Sequence, residues 1–511
     1  MLDIPPQLIA LVIVLLVALG FSIHTQSSKT NGRKLPPGPS GVPFLGNLLD
    51  VPGKHLASYF RKLVEEYGGI VSLNIVGLRF ILIGNMGVAK ELLEKRAVKH
   101  SSRPVCEEGQ NQILGRKLSV GIMSTVRAGK TEPLQEFEAI SNIQRLLDDG
   151  GADWFHYMNV ISASSVLAAG FGMQFPTGQE PELKELLYVL DEAVTLMTPT
   201  ASIINVLPFL DLLPGPMPWR IRAQEFRKRE DAVYKKLIDK ALEGEALGMD
   251  TWAAEFARED SNSGAQRFLI KGFTSAAIET TSITLQNFIL ACIRYPEWIP
   301  SAQKEIDAVV GTDRLPSFKD RPFLPYVEAI VRETLRWRPA VRFGIPHQSV
   351  ADDVIEYQGH KYFIPKGSII FSVIWAIEHN QTKFEDHDRF MPERFLDAKG
   401  SLKPDYETSA FGFGRRGCPG IPFAERTLWI NIATILWTFN IRRSDVPDPK
   451  TGLPFHYDAS DVAFSGDITN CPFPFPAVFE PRSPQRAEVA RREWSECEKD
   501  LHVLLPVLKK D

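Results

Sequence analysis

The feature that most constrains the fold is a long stretch without proline in the second half of the chain. Residues 264–295 have the pattern of one continuous helix, and apolar side chains lie on several of its faces. A helix that is apolar on most sides is buried in a protein core. We therefore expect a central helix with much of the remaining chain packed around it.

The rest of the chain is predicted to be rich in helix. Helical patterning dominates from about residue 134 to residue 345. Further helices are predicted at 55–67, 86–96 and 420–440. The alternation at 70–84 predicts a hairpin, and short strands are predicted at 359–364 and 368–374. The predicted fold class is mainly α with a small β-sheet region.

Charge and cysteine content exclude several classes of protein. The 511 residues carry a net charge of −4, so no positive field favours nucleic acid, and we expect no nucleic-acid partner. The 5 cysteines are odd in number and far apart. This pattern argues against a disulfide scaffold and against a cysteine zinc site. We expect the body of the protein to face a reducing compartment.

The N-terminal segment is predicted to be a transmembrane anchor. Residues 4–24 contain no Asp, Glu, Lys or Arg, and a run of about 20 residues matches the thickness of a bilayer core. A cleaved signal peptide is the alternative, but no basic region precedes the run. Lys29, Arg33 and Lys34 follow it. The positive-inside rule then leaves the rest of the chain in the cytoplasm.

Prolines follow the predicted anchor. The sequence LPPGPSGVPFLGN at 35–47 fixes backbone angles and removes hydrogen-bond donors, so a helix cannot continue from the membrane. A stiff linker is one interpretation, and a hinge that orients a globular body against the bilayer is the other. The position directly after the anchor favours the hinge.

At the C-terminal end of the chain, the charged residues 486–505 have a helical pattern and are expected to form a solvated terminal helix.

The sequence FGFGRRGCPG at 411–420 places Cys418 in a turn of glycine and arginine. A thiolate is a strong, soft ligand for iron. Gly417 and Gly420 allow close approach of the backbone, and a helix that starts near Gly420 directs its positive end toward the sulfur. Arg416 adds positive charge. The pattern predicts an exposed, ionised sulfur with a flat partner above it, and the alternative is a buried cysteine in a glycine-rich turn.

This turn resembles the haem-binding loop of the cytochrome P-450 family. Its pattern F-x-x-G-x-R-x-C-x-G is satisfied by Phe411, Gly414, Arg416, Cys418 and Gly420. The resemblance implies a cytochrome P-450 fold behind an N-terminal transmembrane helix, with Cys418 as the iron ligand. The sequence style is most similar to fungal secondary-metabolite members. The predicted division of the chain is an anchor at 4–24, a linker and hinge at 25–47, a haem-thiolate catalytic domain at 48–482, which the resemblance implies, and a charged tail at 483–511.

Two further motifs resemble structural elements of the same family. Glu333 and Arg336 form E-x-x-R, and the spacing of three residues puts both side chains on one face of a helix. Taken alone, such a motif is usually a solvated surface pair. Arg394 lies in a P-E-R-F sequence that resembles the family's third member of this group. The resemblance implies a structural network just before the cysteine loop.

The predicted central helix contains AAIETT at 276–281, which resembles the family's oxygen-binding motif with alanine at the usual glycine. The resemblance implies that Glu279 and Thr280 pass protons to bound dioxygen. An acid inside an apolar helix is costly unless it is hydrated or used in chemistry. The alternative is a solvent-facing surface of the helix, which the apolar neighbours disfavour.

The chain departs from the family between the first hairpin and the central helix. The usual W-x-x-x-R is missing, and the segment 104–132 is shorter by roughly one helix, through either an error in the gene model or a loss of haem contacts. A G-K-T sequence at 129–131 lacks the first glycine of a phosphate loop, since Ser124 occupies that position. By resemblance, Arg103, His347 and Arg416 match positions that bind haem propionates.

The resemblance implies a monooxygenase with haem b and O₂. Cys418 would donate electron density to iron, and electrons would come from NADPH through NADPH–cytochrome P-450 reductase. The substrate is expected to be a hydrophobic small molecule, and the protein is expected in the endoplasmic reticulum membrane as a single-pass protein with its catalytic domain in the cytoplasm. Two alternatives remain. One is a haem-thiolate isomerase, dehydratase or peroxygenase, and the other is a non-catalytic remnant that binds hydrophobic ligands.

Overall fold

The computed structural model describes residues 33–104, 129–197, 214–246, 249, 251–259, 265–448 and 451–505. The predicted anchor at 4–24 and most of the short segment 104–132 lie outside the described residues. The chain is divided into two compact units. The sheet unit comprises 1–109, 341–380 and 409–418, and the helical unit comprises 110–340, 381–408 and 419–511.

Helices account for about half of the described residues. In chain order they are α1 (Leu56–Tyr67), α2 (Met86–Lys90), α3 (Ala97–His100), α4 (Glu132–Asp148), α5 (Trp154–Phe171), α6 (Pro181–Met197), α7 (Pro218–Ala246), α8 (Trp252–Glu259), α9 (Ala265–Arg294), α10 (Ile299–Val310), α11 (Pro325–Trp337), α12 (Ile374–Glu378), α13 (Ile421–Thr438), α14 (Pro484–Glu496) and α15 (Leu501–Leu504). A single π-helical turn, Glu91–Lys95, joins α2 to α3.

The strands form three small sheets. They are β1 (Ile70–Ile75), β2 (Leu78–Ile83), β3 (His347–Gln348), β4 (Asp353–Tyr357), β5 (His360–Ile364), β6 (Ile369–Ser372), β7 (Phe439–Arg443) and β8 (Ala477–Pro481). The largest sheet has the order β1-β2-β6-β3, and β4-β5 and β7-β8 are antiparallel pairs. The strands predicted in all three stretches are therefore confirmed.

The predicted hairpin is the first element of the sheet unit. β1 pairs with β2 so that Ile70 lies opposite Ile83. Val76 and Gly77 form the turn, with φ of 49° and 81°, which suits the right-handed twist of a two-residue hairpin. β6 then adds to β2 in parallel. Ile70, Ile81 and Ile370 are buried in one apolar cluster that also includes Phe413 of the cysteine loop.

The helical unit is built around α9, which confirms the predicted central helix. α9 packs against α5, α11 and α13. Its stretch Thr274–Arg294 has a mean hydropathy of 1.3, and within the described residues α9 is the one helix long and apolar enough to cross a bilayer. That window is 78% buried inside the protein. Its apolar character therefore belongs to a core helix, as its apolar sequence predicts.

The C-terminal segment is not the solvated helix expected from its charge. Leu501 and Leu504 are buried in the main apolar cluster of the helical unit, and Trp494 stacks on Phe137 with ring centroids 5.8 Å apart. Arg486 is also buried and donates to Asp307 at 2.7 Å. The segment has a narrow apolar face that packs on the core, and its largely charged composition does not reveal that face.

Candidate functional site

The cysteine loop depends on two glycines with positive φ. Gly412 and Gly414 have φ of 73° and 52°, a region that favours glycine. A Cβ atom on Gly414 would lie 2.3 Å from the carbonyl oxygen of Leu93, so the loop can approach the π-helical turn only without a side chain there. The Cys418 amide donates to the carbonyl of Phe411 at 2.8 Å, which closes the loop. Cys418 itself is exposed, which excludes the alternative of a buried cysteine.

The helix expected after the loop is present. α13 begins at Ile421, and the carbonyl of the preceding Gly420 accepts a hydrogen bond from the Ala424 amide at 2.9 Å. Gly420 has a φ of −83°, so the backbone there does not itself require glycine. Arg416 is half-buried and donates through Nε to the carbonyl of Ser101 at 2.9 Å. Burial lowers the pKa of Arg416 below its ordinary value.

Three residues predicted to bind carboxylates lie in one neighbourhood of the sheet unit. Arg103 donates to the carbonyls of Ile345 and Pro346 at 2.7 Å and 2.6 Å. His347 is buried, and its Nδ1 lies 3.0 Å from the carbonyl oxygen of His100. Burial, together with the charges of Arg103 and Arg416, lowers the pKa of His347 to about 4. The ring is therefore neutral at neutral pH, near the two guanidinium groups whose charges lower its pKa.

The segment 99–103 holds these residues in place, and sequence reasoning missed its role. The carbonyl of His100 meets His347, and the carbonyl of Ser101 accepts from Arg416. Two backbone hydrogen bonds of 2.8 Å also tie the carbonyls of Lys99 and Ser102 to Val350 and Gln348 respectively. The segment therefore forms a short ladder whose carbonyls bind the side chains of the candidate site.

Asp353 anchors that segment. His100 Nε2 lies 2.9 Å from its carboxylate, Lys99 donates to it at 2.8 Å, and Arg96 donates to it at 3.2 Å. Burial alone would raise the pKa of Asp353, but the hydrogen bonds from Lys99, His100 and Arg96 outweigh burial and hold that pKa well below its usual range. The abundance of basic residues in RAVKHSSR at 96–103 is the one sequence signal for this anchor.

The acid–alcohol pair lies on α9 in the helical unit. Thr280 Oγ1 donates to the carbonyl of Ala276 at 2.7 Å. Glu279 is half-buried, and its Oε1 accepts a hydrogen bond from Thr469 Oγ1 at 2.6 Å. Burial raises the pKa of Glu279 to about 7, although the Thr469 hydrogen bond opposes that rise. Thr469 is a second residue that sequence reasoning missed.

The E-x-x-R motif forms a buried network. Glu333 and Arg336 are both 0% exposed and share two hydrogen bonds, of 2.6 Å and 2.9 Å. Arg394 donates to the same carboxylate at 3.1 Å, as does the Met391 amide at 2.7 Å. Arg336 also donates to the carbonyl of His387 at 2.8 Å. The interpretation as a solvated surface pair is therefore wrong.

The residues present in the sheet unit fit a haem by their chemistry. An exposed cysteine thiol in a close-packed glycine loop is a protein donor that haem iron accepts. Two arginines and a histidine grouped near one another suit the carboxylates of the same cofactor. Haem requires a ligand for its iron and hydrogen-bond donors for its propionates, and the residues of the sheet unit offer both.

In the sheet unit, an exposed cysteine in a glycine-built loop and a group of residues suited to carboxylates are the features of a haem-thiolate protein. In the helical unit, the half-buried acid on α9 is of the kind that an oxygenase uses as a proton donor. The chain belongs to the cytochrome P-450 family, since the sequence model of that family matches residues 36–456. The family implies a haem iron, O₂ and electrons supplied by a reductase.

Named relatives agree with this membership along nearly the whole chain. The cytochrome P-450 monooxygenase verL of Clonostachys rogersoniana is 30% identical over 524 residues, which cover 95% of this chain and 93% of the relative. The cytochrome P-450 monooxygenase 58 of Postia placenta is 33% identical over 484 residues, with 88% and 90% covered. The echilunin cytochrome P-450 monooxygenase of Aspergillus ruber is 30% identical over 532 residues, with 99% and 95% covered. The protein is a haem-dependent monooxygenase.

Proposed function

We propose that this protein oxidises a hydrophobic small molecule of fungal secondary metabolism, with haem b ligated by Cys418. The observation that carries the proposal is the exposure of Cys418 in a loop whose shape depends on Gly412 and Gly414. When bound, haem would supply the activation of dioxygen that insertion of one oxygen atom into a substrate bond requires. The fungal relatives and their names support the choice of substrate class.

The remaining residues of the sheet unit would hold the cofactor. Arg103, His347 and Arg416 would bind its carboxylates, because they are grouped and two of them are permanently charged. Phe411 and Gly414 would keep the loop in its present shape through the Cys418 amide contact and the close approach to Leu93. Gly420 would connect the loop to α13.

Glu279 and Thr280 would supply protons during the reaction. A group whose pKa lies near 7 can both hold and release a proton at neutral pH, which is what a general acid requires. Thr280 gives its own hydroxyl hydrogen to Ala276, so its oxygen remains an acceptor. The network of Glu333, Arg336 and Arg394 would be structural, since both arginines bind the buried carboxylate of Glu333.

The electron donor would be NADPH, through NADPH–cytochrome P-450 reductase. Arg415 is exposed in the cysteine loop and is a candidate contact for that partner. Arg426 on α13 is a second basic candidate for this contact, and its side chain is bound to Glu132 at 2.9 Å. Residues 4–24 would anchor the protein in the endoplasmic reticulum membrane, with 25–47 as the hinge and the catalytic domain in the cytoplasm.

One alternative keeps the haem and changes the reaction. An isomerase, dehydratase or peroxygenase needs no proton delivery to dioxygen, so the acid–alcohol pair on α9 favours the monooxygenase. Turnover that requires both NADPH and the reductase supports the proposal, whereas turnover without them favours the alternative. A remnant without haem is separated from both by the experiment that follows.

The decisive experiment is the reduced carbon-monoxide difference spectrum. We expect the red-shifted Soret band of a thiolate-ligated haem in the wild type and its loss in Cys418→Ala. Cys497→Ser is the matched control, because Cys497 donates to its own helix through the Trp494 carbonyl and should leave the band unchanged. The same band in Cys418→Ala would contradict the assignment of the ligand. Its absence from the wild type would favour the remnant.

A further inference from the structure

We propose that Thr469 is a positioning residue for Glu279, whose hydroxyl orients the acid and adjusts the pH at which it gains or loses a proton. The inference rests on the proposed function, because it concerns the proton donor of that reaction. It adds a residue that lies far from α9 in sequence and that no motif identifies.

The contact joins two separate parts of the helical unit. Thr469 lies between the 3-10 turn Asp461–Ala463 and β8, and it reaches Glu279 across 190 positions of sequence. Its Oγ1 donates to Oε1 of Glu279 at 2.6 Å, a short hydrogen bond of the charge-assisted type. Among the described residues, Thr469 is the one side chain that donates to this carboxylate.

The turn that carries Thr469 is internally braced. The Ser465 amide donates to the Cys471 carbonyl at 2.9 Å, and the Ser465 hydroxyl donates to the Thr469 carbonyl at 3.2 Å. Asn470 is 2% exposed, and its side-chain oxygen accepts from the Gly466 amide at 3.1 Å. A group held in this way has little rotational freedom left to lose when it binds the acid.

The same turn is fixed to α9 at a second point. Cys471 Sγ lies 3.3 Å from Oε1 of Gln286, which follows Glu279 on α9 by two helical turns. The Asn470 amide donates to the carbonyl of Ala340 at 2.8 Å, which ties the turn to another segment of the helical unit. These contacts therefore fix the turn beside α9 and hold Thr469 next to Glu279.

The charges around Glu279 explain why this hydroxyl matters. Burial raises the pKa of Glu279, and Asp191 on α6 and Asp467 in the turn raise it further. The Cys471 thiol has a pKa raised to about 12 and stays neutral, so it adds no charge at neutral pH. The Thr469 hydrogen bond favours the ionised carboxylate and is the opposing influence. Without it, Glu279 would remain protonated to a higher pH.

The experiment compares Thr469→Val, which removes the hydroxyl at nearly constant volume, with Thr469→Ser, which keeps it. The first readout is the pH profile of product formed per NADPH consumed. We expect the profile of Thr469→Val to shift to higher pH by about 1 pH unit. The profile of Thr469→Ser should stay near that of the wild type. Thr438→Val is the matched control, since Thr438 is a buried hydroxyl bound to the Thr434 carbonyl at 2.7 Å.

The second readout does not depend on turnover. Infrared titration of the Glu279 carboxylic acid, identified by its loss in Glu279→Gln, reports the proton directly. We expect the carboxylic acid band of Thr469→Val to persist to higher pH than that of the wild type. An unchanged titration in Thr469→Val, or an equal shift in Thr469→Ser, would overturn the proposal. If the wild type lacks the thiolate Soret band, the proposed function fails while this titration still decides the role of Thr469.

Discussion

The Nδ1 atom of His347 lies 3.0 Å from the backbone carbonyl oxygen of His100. A carbonyl oxygen can only accept, so Nδ1 carries a proton and Nε2 of the neutral ring carries a lone pair. With a pKa lowered to about 4, the ring is neutral at neutral pH. In that state Nε2 cannot donate to a carboxylate. The proposed contact between His347 and a cofactor carboxylate therefore requires the uptake of one proton.

The first prediction concerns the pH dependence of haem retention. A bound carboxylate raises the pKa of His347, so the contact is present below that raised pKa and is lost as the pH rises through it. We expect haem transfer from the holoenzyme to apomyoglobin to accelerate with rising pH, by roughly tenfold or more for one charge-assisted hydrogen bond. His347→Gln keeps a neutral donor at this position and should lose that part of the pH dependence. An identical pH profile in His347→Gln would contradict the prediction.

The second prediction concerns the stability of the buried ion pair. Glu333 and Arg336 are 0% exposed, so removing one charge leaves the other buried without compensation. We expect Glu333→Gln to lower the free energy of unfolding by about 3 to 5 kcal/mol, measured by chemical denaturation. The pair of Arg229 and Glu185 lies at the surface at 2.6 Å, and Arg229→Gln should leave stability unchanged. Equal losses in the two variants would refute the structural role of the buried network.

The E-x-x-R motif and the cysteine loop could be predicted because the members of each are neighbours in sequence. Glu333 and Arg336 lie three residues apart on one helix, and the residues that shape the cysteine loop are contiguous. The position of α9 could be predicted for the same reason, because its long apolar stretch is continuous in sequence. Arg103, His347 and Arg416 were grouped by resemblance, and their side chains do lie together within the sheet unit.

The residues that position the site were not predictable. His100 meets Asp353 across 253 positions of sequence, and Thr469 meets Glu279 across 190. No helical or strand period relates such positions, and each residue taken alone has an ordinary surface role. The C-terminal helices were misjudged because their charged residues outnumber the few apolar ones, such as Leu501 and Leu504, that become buried.

The third prediction concerns a buried acid outside the site. Glu138 on α4 accepts a hydrogen bond from Ser164 on α5 at 2.6 Å, and burial raises its pKa from 4.5 to about 7. Because the folded pKa exceeds the unfolded value, this group stabilises the fold fully below pH 4.5 and loses that contribution as pH rises to about 7. Glu138→Gln removes the titration, so its stability relative to the wild type should increase across this window.

The measurement for Glu138 is thermal unfolding at several pH values. The change in pKa corresponds to about 3 kcal/mol between the two ends of the window. Glu65→Gln is a suitable control, because Glu65 pairs with Arg61 at the surface and its removal should give parallel curves. A constant difference between Glu138→Gln and the wild type at all pH values would show that folding does not shift the pKa of Glu138.

The fourth prediction separates the anchoring of the candidate site from general stability. Asp353 binds Arg96, Lys99 and His100 in the sheet unit, and Asp307 binds Arg482 and Arg486 in the helical unit. Each carboxylate neutralises two cations, Arg96 and Lys99 at Asp353 and Arg482 and Arg486 at Asp307, so Asp353→Asn and Asp307→Asn should both lower the melting temperature.

The two variants should differ in their hold on the cofactor. The Asp353 contact with His100 fixes the segment 99–103, whose carbonyls hold His347 and Arg416. Asp353→Asn should therefore speed haem transfer to apomyoglobin by about tenfold, as expected for a residue that orients direct ligands. Asp307→Asn should leave that rate unchanged when each variant is assayed at the same number of degrees below its own melting temperature. If both variants released haem equally fast, faster release would follow from destabilisation alone, and Asp353 would have no positioning role.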